Sequence, residues 1–134
     1  MPAHRSESSW LPLARQVIRQ ESAGLSALAE ALDENFDQAV RTILAVKAQL
    51  IVTGLGKSGL VARKIAATMT STGTPAVFIH PVEGLHGDLG IVSPGHALLV
   101  ISKSGNTEEL AHFVEHFRRR GGGQVITITE KPAS

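Results

Sequence analysis

The chain of 134 residues contains no cysteine. A disulfide framework and a thiolate zinc site are therefore excluded, and a reducing compartment is permitted. It has no excess of charge. Thirteen Lys and Arg against twelve Asp and Glu leave a formal net charge of +1, which points to neither nucleic acid nor an anionic membrane as partner. No uninterrupted apolar run approaches the ~20 residues of a membrane-spanning helix. The first residues, with Pro2, His4, Arg5 and Glu7, lack the apolar segment of a signal peptide. There is no internal repeat and no low-complexity tract. What is present, 43% apolar and 19% charged residues, suits a globular domain of ordinary size. The expectation is a cytoplasmic, single-domain protein.

Residues 1–7 read as a loose polar start. From Ser8 to Leu32 the apolar positions Trp10, Leu13, Val17, Ile18, Leu25, Leu28 and Leu32 recur at helical spacing. Gly24 interrupts this run and allows two shorter helices. Asp33 suits the cap of a second helix. Its expected buried stripe is Phe36, Ala39, Val40, Ile43, Leu44 and Val46. The period then changes. Leu50–Val52, Ala76–Ile79, Ala97–Ile101 and Gln124–Ile128 are short apolar runs, as strands covered on both faces should be. Between them lie a helix over about 58–71 with core stripe Val61, Ile65 and Met69, a loop over 80–95, and a helix over about 107–120. Strands alternating with helices imply a three-layer α/β/α sandwich around a parallel sheet, here with four strands. Ligands of such sheets bind beyond the carboxyl ends of the strands.

Three polar segments fall at those ends. The first is Thr53-Gly54-Leu55-Gly56-Lys57-Ser58-Gly59, a strand–turn–helix passage whose glycines permit a tight bend. A helix start presents free N–H groups and a positive dipole end, which attract phosphate, and Lys57 adds a point charge. Gly54-x-Gly56-x-x-Gly59 also matches a dinucleotide fingerprint, but the second strand ends in Ile79-His80 without the acidic residue that binds ribose. A nucleotide P-loop would need glycine where Ile51 stands. The bland alternative is glycine required only for strand–helix packing.

The second segment, Ser102-Lys103-Ser104-Gly105-Asn106-Thr107, gathers three hydroxyls that can donate to phosphate oxygens. Thr107 also suits a helix N-cap. Glu108 and Glu109 follow; one carboxylate answers to the helix dipole, and the other is placed to act as a general base. The third segment, His80 to Gly90, carries two imidazoles and two carboxylates. His80, His86 and Asp88 offer zinc ligands, at a spacing that fits no standard structural motif. His86 alone suits acid–base work, or a histidine satisfied by loop hydrogen bonds. His112 and His116 read as a solvated pair, and Arg118–Arg120 as charges expected in a last helical turn.

The first two segments together resemble the sugar isomerase (SIS) domain. The run Ser71–Pro75, then His80-Pro81 through Glu83, then His86-Gly87-Asp88-Leu89-Gly90 resembles, more specifically, the bacterial D-arabinose 5-phosphate isomerases. The similarity covers about residues 20–132 and makes 8–134 an SIS domain with a Rossmann- or flavodoxin-like sheet. It implies interconversion of D-ribulose 5-phosphate and D-arabinose 5-phosphate through an enediolate, as a step toward the lipopolysaccharide sugar Kdo. It also implies roles. Gly56, Ser58, Ser102, Ser104, Gly105 and Thr107 hold the substrate and its phosphate. Lys57 stabilises the enediolate, Glu109 is a catalytic carboxylate, and His86 lines the site and can take an inhibitory zinc ion. No cofactor is required, and the family assembles as homo-tetramers. Lys103 departs from the uncharged residue usual there. Family domains continue past position 134, so this chain is expected to be shortened at its C-terminal end. The alternatives are a non-catalytic phosphosugar-binding module and a nucleotide-binding Rossmann-type domain.

Overall fold

The computed structural model describes residues 10–131. Residues 1–7, expected to be a loose start, lie outside them, as do Ser8 and Ser9. Two helices come first, α1 (Trp10–Ala31) and α2 (Glu34–Leu44). Then follow β1 (Leu50–Gly54), α3 (Gly56–Ser71), β2 (Ala76–Phe78), α4 (Pro81–Leu85), a 3-10 turn (Asp88–Ile91), β3 (Ala97–Ile101), α5 (Glu108–Arg119) and β4 (Val125–Ile128). The chain divides into two compact units between Asp37 and Gln38. α1 runs unbroken through Gly24, around which nothing lies within 4 Å. It is one helix, and the alternative of two shorter ones does not hold. None of its residues is buried.

In the second unit the four strands are parallel in the order β2-β1-β3-β4, as the alternating pattern predicts. Every residue of β1 and β3 is buried, whereas the edge strands β2 and β4 are only partly covered. Side chains alternate between two cores, because successive residues of a strand face opposite ways. Ile51, Leu98 and Val100 pack with Leu110, Phe113 and Phe117 of α5 and with Ile79 and Leu89. Leu50, Val52, Leu99 and Ile101 pack with Ala62 and Ala66 of α3. Phe113 and Phe117 are fully buried, a contribution of roughly 1.5–3 kcal/mol each.

Two expected stripes are corrected. On α3 the buried seam is Gly59, Ala62 and Ala66. Val61 is 52% exposed, and Ile65 and Met69 only flank the core. The reason is the closeness of α3 to the sheet. A Cβ on Gly59 would stand 2.6 Å from the Gly54 carbonyl oxygen, so only small side chains fit beneath the helix. On α2 only Ile43, with Val46 just beyond the helix, reaches the core. Phe36, Val40 and Leu44 are exposed, Leu44 at 77%. The expected 80–95 loop contains α4 and the 3-10 turn. Their anchors are buried Pro81, Gly84 and Leu89.

Candidate functional site

The order β2-β1-β3-β4 puts a topological switch between β1 and β3, since the chain leaves β1 toward one edge and β3 toward the other. Ligands of open parallel sheets bind at such a point. Gly54 and Ile101, the last residues of β1 and β3, stand side by side in register. The two polar turns that follow therefore share one hollow. It has a volume of about 380 Å³, and Leu55, Ser58, Ser102, Lys103, Ser104 and Thr107 are among the residues that line it.

Both helices that start there are uncapped. α3 has Leu55 at its N-cap, which has no side-chain oxygen to offer, and α5 has Thr107, whose hydroxyl makes no cap hydrogen bond. Caps are used elsewhere: Asp33 accepts from the Asn35 N–H at 2.9 Å before α2, and His80 Nδ1 accepts from the Val82 N–H at 3.2 Å at the start of α4. An omitted cap costs about 0.5–2 kcal/mol, and the orphan N–H groups stay open to an anion. Gly56 opens α3 at φ +55°, with nothing near the place of a Cβ. It is there for its backbone conformation, while Gly54 and Gly59 are there for the close approach of strand and helix. The packing explanation thus accounts for two of the three glycines.

The hydroxyl turn is set internally. Ser102 is 6% exposed, and its Oγ accepts from the Gly105 N–H at 3.1 Å. Ser104 Oγ accepts from the Asn106 N–H at 3.3 Å. Both hydroxyls act as acceptors here, so their own hydrogens remain available to a ligand oxygen. Gly105 lies in the turn at φ +72° without lining the hollow. Lys103 lines it with its side chain 86% exposed, and its Nζ stands 3.9 Å from Glu130 Oε2.

Lys57, Glu109 and His86 are exposed, and none lines the hollow as it stands. Lys57 is the second residue of α3 and Glu109 the second of α5, so each sits on one of the two uncapped turns. His86 ends α4, and its ring makes no hydrogen bond among the described residues. The histidine satisfied by its loop is His80. No three His, Asp or Glu side chains among the described residues gather as a metal site. His80, His86 and Asp88 therefore do not stand together as one ligand set among the described residues.

Two charged lining residues escaped the sequence reading: Glu130 and Lys131. They follow β4, the neighbour of β3, and the rule that ligands sit beyond strand ends is the signal that could have found them. Buried Thr53 also has an unforeseen part. Its Oγ1 donates to the Ile79 carbonyl at 2.6 Å, tying the end of β1 to the start of the histidine loop.

The SIS domain model matches residues 43–134. The chain is 43% identical over 116 residues to the arabinose 5-phosphate isomerase KpsF of Escherichia coli O6:H1, covering 86% of this chain and 35% of that protein. It is 41% identical over 120 residues to the arabinose 5-phosphate isomerase GutQ of Shigella flexneri, covering 90% of this chain and 37% of that protein. It thus spans about a third of the length of these curated relatives. An E. coli CFT073 protein solved in complex with a phosphosugar superposes with a TM-score of 0.88 at 29% identity, over 96% of this chain and 68% of that one. The switch-point hollow, the two uncapped helices and the match over residues 43–134 agree, and the chain belongs to the SIS domain family.

Proposed function

We propose that the strand-tip hollow binds a phosphorylated sugar and that the chain is the SIS part of an aldose–ketose isomerase acting on D-arabinose 5-phosphate and D-ribulose 5-phosphate. The observation that carries this is the pair of uncapped helix starts on one hollow. Each favours an anion by about 0.3–1 kcal/mol, and by up to ~2 kcal/mol in partly buried geometry. The hydroxyls of Ser58, Ser102, Ser104 and Thr107 add donors without charge, and Gly56 and Gly105 shape the two turns around the phosphate.

In this reading a base removes a proton from the carbon next to the carbonyl, and the resulting enediolate is reprotonated on the neighbouring carbon. Glu109 is assigned the base. Lys57 is assigned the developing oxyanion, and His86 a proton on a sugar oxygen. No cofactor is invoked, and zinc at His86 has no step. The reading extends to a cytoplasmic place in Kdo and lipopolysaccharide precursor synthesis and to a homo-tetramer. The exposed apolar side chains of α1, such as Trp10, Leu13, Val17 and Leu28, support self-association.

A second reading has its own observation: none of the three acid–base candidates lines the hollow. The chain would then be a non-catalytic phosphosugar-binding module. Calorimetric titration with D-arabinose 5-phosphate, D-arabinose and NAD tests the shared premise. Binding of the phosphorylated sugar alone is expected, and equal binding of D-arabinose, or preference for NAD, would refute it. Lys57→Ala then separates the readings in a coupled isomerase assay. Turnover lost with binding retained fits the enzyme, and binding without turnover in a chain extended past residue 134 fits the module.

A further inference from the structure

A larger hollow lies at the opposite, amino end of the sheet. It measures about 590 Å³ and is bordered by Val46 ahead of β1, Ala97 opening β3 and Gln124 ahead of β4. That volume falls in the usual range for small-molecule sites. Backbone bonds hold its walls. The Lys47 and Ala48 N–H groups donate to the Gly95 carbonyl at 3.2 and 2.9 Å, Ala97 N–H to the Gln49 carbonyl at 3.3 Å, and Gly123 N–H to the His96 carbonyl at 2.9 Å. A Cβ on Gly123 would stand 2.7 Å from that His96 oxygen. The third glycine of the 121–123 turn is thus held by contact as well as by the turn.

His96 lines this hollow and is only 8% exposed. Its Nδ1 accepts from the Ser93 N–H at 3.1 Å and stands 2.9 Å from Ser93 Oγ. A backbone N–H can only donate, so Nδ1 carries no proton here. The Ser93 carbonyl at 3.4 Å would require one, but that contact is longer than the N–H contact it would displace, and the Ser93 hydroxyl can donate to a bare Nδ1. The ring proton therefore sits on Nε2. No hydrogen bond occupies Nε2 among the described residues, and no buried polar side-chain atom among them is sealed without a partner. Nε2–H is thus a free donor on a nearly buried ring.

Two cations line the same hollow, Arg41 and Lys47, and no Asp or Glu does. Neither forms an ion pair among the described residues. The rest of the lining pairs neutral polar groups (Gln38, Thr42, Gln124) with an apolar wall of Ala45, Val46, Pro94 and Ala97. We propose that this hollow is a second ligand site, for a small organic anion with an apolar body. The acid head meets Arg41, Lys47 and His96 Nε2–H, and the body lies on the apolar wall. A purely inorganic anion would leave that wall wet, and a neutral ligand would leave two cations and an N–H without partners. Because the two hollows lie at opposite ends of the strands, such a ligand does not compete with one at the strand tips.

Naphthalene-2-sulfonate is a suitable probe, with 2-naphthalenemethanol as its neutral counterpart, titrated into the full chain and followed by 15N NMR of backbone amides and imidazoles. The sulfonate is expected to shift His96 Nε2 and the amides of Lys47, Gly95 and Gly123 saturably, at least tenfold more tightly than the alcohol. The doubly substituted Arg41→Gln, Lys47→Gln chain alters two exposed side chains and should fold unchanged. It should lose at least tenfold in sulfonate affinity while the Ser104 and Gly105 amides respond to inorganic phosphate as before. Equal binding of the alcohol, shifts confined to the exposed apolar residues of α1, or undiminished affinity in the double variant would each overturn the proposal.

Discussion

Thr107→Asp should make the protein more stable and worse at holding a phosphate. Position 107 is the N-cap of α5, yet its hydroxyl makes no cap hydrogen bond. An aspartate there accepts from the N–H groups of Glu109 or Leu110, the second and third residues of the helix. A cap engaged where none was engaged before is worth about 0.5–2 kcal/mol. Glu108 and Glu109 already put two carboxylates in the first turn, and like charges repel, so the lower half of that range applies. A gain of about 1 kcal/mol raises the melting temperature by about 4 °C in a domain of this size. The same carboxylate occupies the donors a phosphate would use and sets a like charge beside it. Two unit charges 4 Å apart repel by about 1 kcal/mol in water and about 4 kcal/mol near a protein surface. Affinity for inorganic phosphate and for D-arabinose 5-phosphate should therefore fall at least tenfold. Scanning calorimetry reads the first effect and isothermal titration the second. A variant that melts higher and binds as before would refute the claim that these N–H groups are kept for the ligand. A variant that melts lower would refute the claim that the cap is vacant.

Three further substitutions test the frame around the hollow. Gly59→Ala places a Cβ 2.6 Å from the Gly54 carbonyl oxygen, and the backbone on both sides leaves no flexible group to yield. A loss of about 1–3 kcal/mol in urea unfolding is expected, and a loss below ~0.5 kcal/mol would mean the helix can lift off the strand freely. Thr53→Val keeps the shape but leaves the buried Ile79 carbonyl without its 2.6 Å donor. It should cost about 1–3 kcal/mol, whereas an unchanged midpoint would show that another group replaces the hydroxyl. Phe113→Ala removes a fully buried ring from the core under α5, for about 3–5 kcal/mol. Retention of a cooperative transition at the original temperature would contradict that core.

The strands were legible because β1 and β3 are covered on both faces, so each is a continuous apolar run that no amphipathic helix would produce. Their parallel order followed from the alternation with helices. The buried side of α3 was not legible in the same way. Large apolar residues usually mark a core face, and Val61 was read as core on that ground. The approach fixed by Gly59 leaves space only for Ala62 and Ala66, so here the small residues are the informative ones. The site was legible where it is local. Ser102, Ser104 and Thr107 lie within six positions and meet Ser58 across the switch point. His80 and His86 could not be told apart by sequence, since what distinguishes them is that His80 caps α4 and His86 ends it. On α1 and α2 the amphipathic pattern is plain, but a pattern cannot name the surface that covers it.

The part of the site that carries no motif explains how the rest is held. The Ser102 N–H donates to the Ile128 carbonyl at 3.0 Å, continuing the β3–β4 pairing one residue past the strand. The Lys103 carbonyl then accepts from the Glu130 N–H at 3.2 Å and from Thr129 Oγ1 at 3.3 Å. These bonds fix the base of the hydroxyl turn from the β4 side. Glu130 and Lys131 thus line the hollow because the backbone that carries them pairs with the hydroxyl turn.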